Sequence, residues 1–190
     1  MPETKTRQEA LDLLYAHTQS DSLRKHGLAV EAAMRAHARR LGQDEEVWGM
    51  VGLLHDFDYE ENPTTDGHPF VGARLLREQG WPEDIVRGVL AHAPYTGEAR
   101  DTPLKRTIYA VDELTGFVVA CALVYGRDLS QVTPERVRKK LKDKAFARQV
   151  NREDIQTGFR ELELDPDEQV RLVVEALKPI AAELGLTASA

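Results

Sequence analysis

Cysteine is almost absent from this chain of 190 residues, and its one cysteine, Cys121, cannot form a disulfide within the chain. The sequence therefore gives no sign of an oxidising compartment. An excess of positive charge is also lacking, because 25 lysines and arginines are opposed by 32 aspartates and glutamates, for a net charge of −7. This balance argues against binding to a nucleic-acid polymer, although a local basic patch could still hold a phosphate.

The chain also has no uncharged apolar run long enough to cross a bilayer. Its most apolar stretch, 108–125, contains Asp112 and Glu113 and is uncharged only over 114–125, whereas a membrane-spanning helix takes about 20 residues. The N-terminal MPETKTRQ is polar and lacks the apolar segment of a signal peptide. We expect a cytoplasmic protein with no membrane contact, and the sequence does not indicate its oligomeric state.

What the sequence does contain is a succession of helical patterns, with no convincing β-strand alternation. Cap residues such as Ser20 and Asp44, prolines at helix starts, and glycines such as Gly42 at helix ends give the boundaries. The predicted helices cover residues 7–16, 22–41, 45–57, 69–79, 83–92, 103–125, a basic helix that begins at 134, 152–163 and 166–184. The expected fold is an all-α, single-domain helical bundle. It divides into an N-terminal helix (1–19), a central core (20–126) and a C-terminal helical extension packed on the core (127–190).

The segment 51–56, VGLLHD, is the first sign of chemistry. An apolar run of this kind is typical of a buried helix or strand, and aspartate is rarely buried without a partner or a metal ion. His55 and Asp56, at the end of the run, therefore require a partner from elsewhere in the chain.

A second buried acid is predicted at Asp112, within the core-like segment TIYAVDELTGFVVACALVY. On a helix it shares a face with Ile108, Thr115, Gly116 and Val119. A glycine inside a helix costs about 1 kcal/mol relative to alanine, so Gly116 is expected to let another group approach closely. The alternative without a metal is a core aspartate paired with an arginine or a histidine.

Histidines are the candidate partners of both acids. A lone histidine on a helix is usually solvated or satisfied in the core, and His17 and His37 fit that ordinary role. A metal site in a helical bundle combines imidazole and carboxylate from separate helices, and this donor set suits Mn²⁺, Fe²⁺, Co²⁺, Ni²⁺ or Zn²⁺. The candidate ligands are His26, His55, Asp56 and Asp112. Sequence spacing alone does not establish that they converge.

In this order and with these separations, the residues resemble the HD-domain superfamily of metal-dependent phosphohydrolases. The resemblance rests on His26, on His55-Asp56 after VGLL, and on Asp112 in VDELTG, and it covers at least residues 20–125. His68 and His92 match the two intervening histidines of bimetallic members. The segments HDFDYEENP, HPFVGARLL, YAVDELTGF and KLKDKAFAR are similar to a branch of small, uncharacterised predicted hydrolases (HDIG-like), which extends the resemblance to about residue 160.

The resemblance implies one divalent ion held by His26, His55, Asp56 and Asp112, and a second held by Asp56 as a bridge with His68 and His92. Bound divalent ions lower the pKa of a coordinated water and, when paired, stabilise the attacking and leaving oxygens of a phosphoryl transfer. The choice between one ion and two stays open, because His68 could simply begin a helix and His92 could simply stabilise a helix C-terminus.

Two departures from the wider family bear on function. Phe57-Asp58 stands where Ile-Gly often follows the His-Asp pair, so Asp58 and Tyr59 are expected to alter the mouth of the site. The GYP signature of cyclic-dinucleotide phosphodiesterases does not occur in the sequence, so that activity is not expected.

Basic residues near these positions could bind a phosphate group. The candidates are Arg24, Lys25, Lys105, Arg106 and Lys140. The tract 136–148, RVRKKLKDKAFAR, has seven basic residues and one acid. It is either a solvated helix face or a source of lysines at the mouth of the site, drawn from Lys139, Lys140, Lys142 and Lys144.

Catalytic roles are expected for His55 and Asp56, and Asp58 is a candidate proton donor to the leaving group. Glu60 and Glu61 are alternatives for that proton transfer because they also follow the His-Asp pair closely.

The function expected from the sequence is metal-dependent hydrolysis of a small phosphorylated molecule, with a nucleotide as the leading candidate. Metal-activated water would attack the phosphorus atom. The alternative from another class is a non-catalytic, metal-bearing module that binds a nucleotide or regulates, and the completeness of the ligand set argues against it. In a third interpretation the metal or polar core is structural, in which case chelation would unfold the protein.

Overall fold

The structure is a computed structural model that describes residues 5–187. Within this range the chain forms α-helices and short 3-10 turns and no β-strand, so the all-α prediction is confirmed. The helices are α1 (Arg7–His17), α2 (Asp21–Leu41), α3 (Glu45–Leu54), α4 (Phe70–Glu78), α5 (Glu83–Ala91), α6 (Pro103–Val124), α7 (Pro134–Lys142), α8 (Arg152–Glu161), α9 (Pro166–Leu177) and α10 (Ala181–Leu184).

Helix caps explain most of these boundaries. The Ser20 side chain accepts a hydrogen bond from the backbone N–H of Leu23 at the start of α2, and Gly42 ends that helix with a φ of 63°. Asp44 caps α3 in the same way. These are cap residues that the sequence predicted.

The predicted end of α3 is wrong. The helix stops at Leu54 and not at residue 57, with His55 as its C-cap and Asp56 in the turn that follows. The ring nitrogen Nδ1 of His55 lies 2.7 Å from the carbonyl oxygen of Gly52 and uses a carbonyl that the helix end leaves free. Both residues therefore stand just past a buried helix, where the turn can direct them to different points.

Two other boundaries also differ from the prediction. α4 begins at Phe70, because Pro69 is the N-cap and not the first helical residue. The predicted helix over 166–184 is divided, since α9 stops at Leu177 and a 3-10 turn containing Pro179 leads into α10. Proline has no N–H to continue the α-helical hydrogen bonds, which accounts for this division.

Helices α2, α3 and α6 form the centre of the bundle. α2 and α3 approach closely at Gly52, where an added Cβ would lie 2.9 Å from the backbone nitrogen and Cα of Glu31. No side chain other than hydrogen fits there. The close approach brings the end of α3 beside the first turns of α2, and so His55 beside His26.

We expect Gly52→Ala to destabilise the protein by about 1–3 kcal/mol, the usual cost of overpacking a core. The new methyl group would meet backbone atoms, which cannot move aside like a flexible side chain. Urea unfolding of the variant measures the loss. Arg74→Ala, on the exposed face of α4, is the control and is expected to stay within about 0.5 kcal/mol of the parent protein; equal midpoints for both variants would contradict the packing.

α6 is the one helix among the described residues with the length and composition of a membrane span. However, 61% of its apolar window is buried inside the protein, as in the core helix of a soluble protein. Ile108, Leu114 and Phe117 are fully buried against neighbouring helices. α6 therefore runs through the core and presents Asp112 from its middle.

The C-terminal helices contribute to the same hydrophobic core as the central ones. Ile155 of α8 and Val173 of α9 belong to one cluster with Ile108 of α6. A Cβ on Gly158 would lie 2.6 Å from Cα of Ala110, so α8 rests directly on α6. This contact brings residues of α8 to the region around Asp112. The predicted division of the chain at residues 20 and 127 stays a prediction.

Candidate metal centre

Six side chains from separate parts of the chain converge at one end of the central helices. They are His26 in α2, His55 and Asp56 after α3, His68 before α4, His92 after α5 and Asp112 in α6. They form two groups, in each of which the possible ligand atoms lie within 4.8 Å of one another. The sequence singled out all six, and the structure brings them together.

The first group consists of His26, His55 and Asp112. Nε2 of His26 lies 2.9 Å from Oδ1 of Asp112 and 3.3 Å from Nε2 of His55. Nε2 of His55 lies 3.4 Å from the same Asp112 oxygen. Two imidazoles and one carboxylate therefore face a common point, as a first-row divalent ion requires.

The second group consists of Asp56, His68 and His92. Oδ1 of Asp56 lies 3.2 Å from Nε2 of His68 and 3.5 Å from Nε2 of His92. The two histidine Nε2 atoms are 3.0 Å apart. This group has the same chemical composition as the first, so both fit the same class of ion.

Asp56 faces both groups with different oxygens. While Oδ1 contacts the second group, Oδ2 lies 3.5 Å from Nε2 of His55 and 4.0 Å from Nε2 of His26. A carboxylate in this position can bind one cation with each oxygen. The turn after α3 is what permits this placement, because it points His55 into the first group and Asp56 between the two.

The ring nitrogen Nδ1 of His55 and that of His92 each have a partner outside the two groups. Nδ1 of His55 lies 2.7 Å from the carbonyl oxygen of Gly52, and Nδ1 of His92 lies 2.6 Å from that of Val89. Each Nδ1–H donates to that oxygen, which orients the ring and directs Nε2 at the group. Metal-binding histidines are held in this way, so the residues present fit divalent ions.

The electrostatics of the centre favour cations. Burial opposes charge on His55, yet the carboxylates of Asp56 and Asp112 raise its pKa well above the usual value. Burial also opposes charge on the two acids, but the imidazoles around them, His55 foremost, hold both carboxyl pKa values below their usual range. For His68, hydrogen bonds to Asp56 and Asp58 outweigh burial and raise the pKa to about 9. The carboxylates therefore stay ionised, and their negative charge favours either protonated imidazoles or metal ions beside them.

We expect metal binding to release protons at neutral pH, because Nε2 of His55 and of His68 must lose its proton before it can bind a cation. With a His68 pKa of about 9, the metal affinity of the second group, to which His68 belongs, is expected to rise with pH up to at least that value. Calorimetric titration of metal-free protein with Mn²⁺, in buffers of different ionisation enthalpy, counts the released protons. A binding enthalpy that is the same in every buffer would contradict this prediction.

Asp58 does not reach the mouth of the site, which corrects its predicted role as a catalytic proton donor. Its side chain is buried, with Oδ1 2.7 Å from Nδ1 of His68 and Oδ2 accepting a hydrogen bond of 2.6 Å from the N–H of Gly72. A Cβ at Gly72 would lie 2.7 Å from Cγ of Asp58. Asp58 thus lies behind His68 and orients that imidazole, as a carboxylate behind a metal-binding histidine does.

The two alternative proton donors also point elsewhere. Glu60 accepts hydrogen bonds from the backbone N–H groups of Gln19 and Ser20, ahead of α2. Glu61 lies 2.9 Å from Nδ1 of His17. Both glutamates therefore hold the loop after α3 against the chain around the start of α2, and neither lines the cavity over the metal centre.

The basic residues around His26 turn away from the centre. Arg24 donates to the carbonyl oxygens of Thr18 and Tyr15 and stacks on the Tyr15 ring. Lys25 pairs with Asp21 at 2.8 Å. Successive positions on a helix point in directions about 100° apart, so neighbours of a ligand in sequence do not share its direction.

The remaining candidates for binding phosphate are also corrected by the structure. Lys105 is buried and bonded to Glu98 and Asp101, about 10 Å along α6 from Asp112 at 1.5 Å per residue. Arg106 lines a separate depression on the surface. Lys140 lies over the ring of Phe146. Among the residues that the structure describes, no lysine or arginine lines the cavity over the metal centre.

That cavity has a volume of about 460 Å³ and opens over both groups. Besides the metal-centre residues, its walls include Tyr59, Tyr95, Tyr109, Glu113, Gln149 and Asp154. Of these wall residues, Tyr59 is the one that the sequence placed at the mouth of the site. Gly116 is part of the wall too, and an added Cβ there would lie at an ordinary 3.7 Å from the His26 ring, so the expected close approach is not tight.

The comparison with known families agrees with this geometry. A family model described as HD domain matches residues 23–116, a segment that contains all six residues of the centre. No curated protein and no solved structure matches the chain. By this match the chain belongs to the HD-domain superfamily of metal-dependent phosphohydrolases.

Proposed function

We propose that this protein is an active, metal-dependent phosphohydrolase that acts on a small phosphorylated molecule, with a nucleotide as the leading candidate. His26, His55 and Asp112 would hold one divalent ion, His68 and His92 the other, and Asp56 both. When bound, the ions supply an activated water and stabilise negative charge on the transferred phosphoryl group. The family membership and the two His/Asp groups support this proposal.

The observation that carries the proposal is the orientation of Asp56. One oxygen faces His68 and His92 while the other faces His55 and His26. A structural core pair would need only one partner for each carboxylate, whereas here four imidazoles surround one acid. Such a concentration of ligands in a cavity wall is what paired-ion catalysis needs, since a substrate must reach both ions from the same side.

The chain's own residues then have distinct tasks. Asp56 and the histidines would hold the ions that position the phosphoryl group, Asp58 holds the His68 ring, and Tyr59 and Tyr95 narrow the mouth of the cavity. In the reaction a water oxygen bonds to phosphorus as the bond from phosphorus to the leaving oxygen breaks. One water proton is lost, the leaving oxygen gains one, and inorganic phosphate and an alcohol result.

A panel of nucleotides and sugar phosphates, incubated with the full chain and Mn²⁺, Co²⁺ or Ni²⁺, tests the proposal. We expect inorganic phosphate to be released from at least one compound. In water enriched in heavy oxygen, the label is expected in the phosphate and not in the alcohol, because the attack is on phosphorus. Tight nucleotide binding without any phosphate release would instead favour a binding or regulatory module.

We also propose that the protein works in the cytoplasm on a free small molecule, without a membrane or a nucleic-acid polymer. The net charge of −7 and the burial of most of α6 support this. The single cysteine, Cys121, is buried, and burial raises the pKa of its thiol to about 12, so a redox role in catalysis is not part of the proposal.

A further inference from the structure

The cavity over the metal centre is acidic apart from the metal-binding residues themselves. Glu113 and Asp154 line its wall, and no lysine or arginine among residues 5–187 does so. Asp154 is half-buried on α8 and accepts a hydrogen bond of 2.7 Å from the hydroxyl of Tyr109. Glu113 accepts one from the backbone N–H of Asn151. Both acids are thus held in place as parts of the wall.

The remaining wall is aromatic and uncharged. The hydroxyl of Tyr95 donates to the carbonyl oxygen of His68 at 2.9 Å, which fixes the ring at the mouth. The Tyr59 ring stands edge-on to the His68 ring, with the centroids 5.2 Å apart. Gln149 adds an amide that can both donate and accept hydrogen bonds. These groups suit the faces and hydroxyls of a sugar or a nucleoside.

Three cations of the surrounding structure have other contacts or line another cavity. Arg100 lies over the Tyr109 ring but is bonded to Glu161 through two nitrogens. Lys25 and Arg127 line a neighbouring cavity of about 420 Å³, which shares only His26 and Gly116 with the wall of the first. A second phosphate group that remained in the first cavity would therefore meet the Asp154 carboxylate and no basic side chain among residues 5–187. Burial raises the pKa of Glu113 to about 7, so Glu113 adds only part of a negative charge at neutral pH.

From this distribution of charge we infer that the substrate is a phosphomonoester whose remaining part is uncharged or cationic, and that nucleoside di- and triphosphates are disfavoured. The inference rests on the proposed function and specifies its substrate class. The phosphoryl group at the metal centre is the single anionic group that the cavity accommodates. The leaving group is an alcohol such as a sugar hydroxyl, and the acids in the wall are available to its hydroxyl donors.

The experiment compares the binding of adenosine mono-, di- and triphosphate to the Mn²⁺-loaded full chain at equal free Mn²⁺. It distinguishes a site for phosphomonoesters from a site for nucleoside di- and triphosphates. We expect the monophosphate to bind at least about tenfold more tightly than the triphosphate, the effect of one to two like charges at partly screened distances. Calorimetry gives this ratio whether or not phosphate is released. Phosphate release, measured in parallel, reports separately on the proposed function.

Asp154→Asn tests the origin of the discrimination. The asparagine amide oxygen can still accept the hydrogen bond from the Tyr109 hydroxyl, but the wall loses one negative charge. The ratio of monophosphate affinity to triphosphate affinity is therefore expected to fall by about three- to tenfold. Glu153→Gln is the matched control, since Glu153 is exposed and does not line the cavity. It is expected to leave the ratio unchanged.

If the triphosphate bound as tightly as the monophosphate or more tightly, the inferred substrate class would be wrong, but the proposed hydrolytic function would not be affected. If Lys25→Ala or Arg127→Ala then removed that binding, the neighbouring cavity would be the site of the additional phosphates. An unchanged ratio in Asp154→Asn would equally overturn the charge argument. Absence of phosphate release from every compound would count against the proposed function alone, because the binding ratio is measured independently.

Discussion

Asp56→Ala is expected to lose metal from both groups and to lower phosphate release by at least about a thousandfold, since bound ions contribute several kcal/mol to such reactions. No other residue of the centre has contacts with both groups through separate oxygens. Without the carboxylate, the histidines around it would face one another with less negative charge to attract an ion. Removing His92 would leave the first group complete, whereas removing Asp56 disturbs both.

Elemental analysis of the purified variant, together with the phosphate-release assay, measures this effect. Asp66→Ala is the control, because Asp66 is an exposed acid in the loop between α3 and α4 and is expected to keep both metal and activity. Circular dichroism should show the same helix content for both variants. Full metal content in a folded Asp56→Ala protein would disprove the bridging role.

Asp58→Asn has the second largest expected effect, and it falls on one group only. The Asp58 carboxylate accepts hydrogen bonds from both His68 and Gly72, whereas an amide offers one oxygen and would turn its NH₂ towards one of these donors. The His68 ring would lose its fixed orientation. We expect metal affinity at the second group to fall about 10–100-fold, with the first group unaffected.

Titration of metal-free Asp58→Asn with Mn²⁺ tests this separation. Two binding steps are expected in the parent protein, and only the step of the second group should weaken in the variant. Asp66→Asn makes the same chemical change at an exposed position and is expected to bind like the parent. Equal weakening of both steps would mean that Asp58 supports the fold as a whole and not the orientation of His68.

The sequence singled out the residues that converge at the centre on two grounds, because its two acids break a local rule and its histidines match the HD-domain pattern. Asp56 follows an apolar run and Asp112 interrupts one, and a buried carboxylate needs a cation or a hydrogen-bond donor. Helix caps at Ser20, Gly42 and Asp44 follow from backbone groups that each helix end leaves unpaired, and these too were predicted correctly. Local chemistry is therefore enough to find most helix boundaries and the two buried acids, whereas the set of histidines depended on the resemblance.

The same reasoning failed where the direction of a side chain decides its role. Asp58 is two positions from Asp56, yet the turn after α3 points it behind His68 and not into the cavity. Lys105 is on the helix of Asp112 but is paired locally with Glu98. Nearness in sequence to a residue of the centre did not place either side chain on the wall of the cavity.

Other wall residues depend on contacts that are distant in the chain. Tyr109 could have been found, since it precedes Asp112 by three positions and so shares its helix face. Asp154 could not, because it reaches the cavity only through the packing of Gly158 of α8 on Ala110 of α6. The wall of the cavity is thus a property of the tertiary structure, while the His/Asp residues of the centre can be recognised in the sequence.

The most direct test of the central claim is to remove the metal from the purified protein and then to restore Mn²⁺, Co²⁺ or Ni²⁺. Phosphate release from a panel of phosphomonoesters is measured at each stage. We predict no release from the metal-free protein, recovery on addition of metal, and no recovery in Asp56→Ala. Two results would contradict the claim that this chain is a metal-dependent phosphohydrolase. One is phosphate release that continues unchanged after the metal has been removed. The other is a folded, metal-loaded protein that releases no phosphate from any compound.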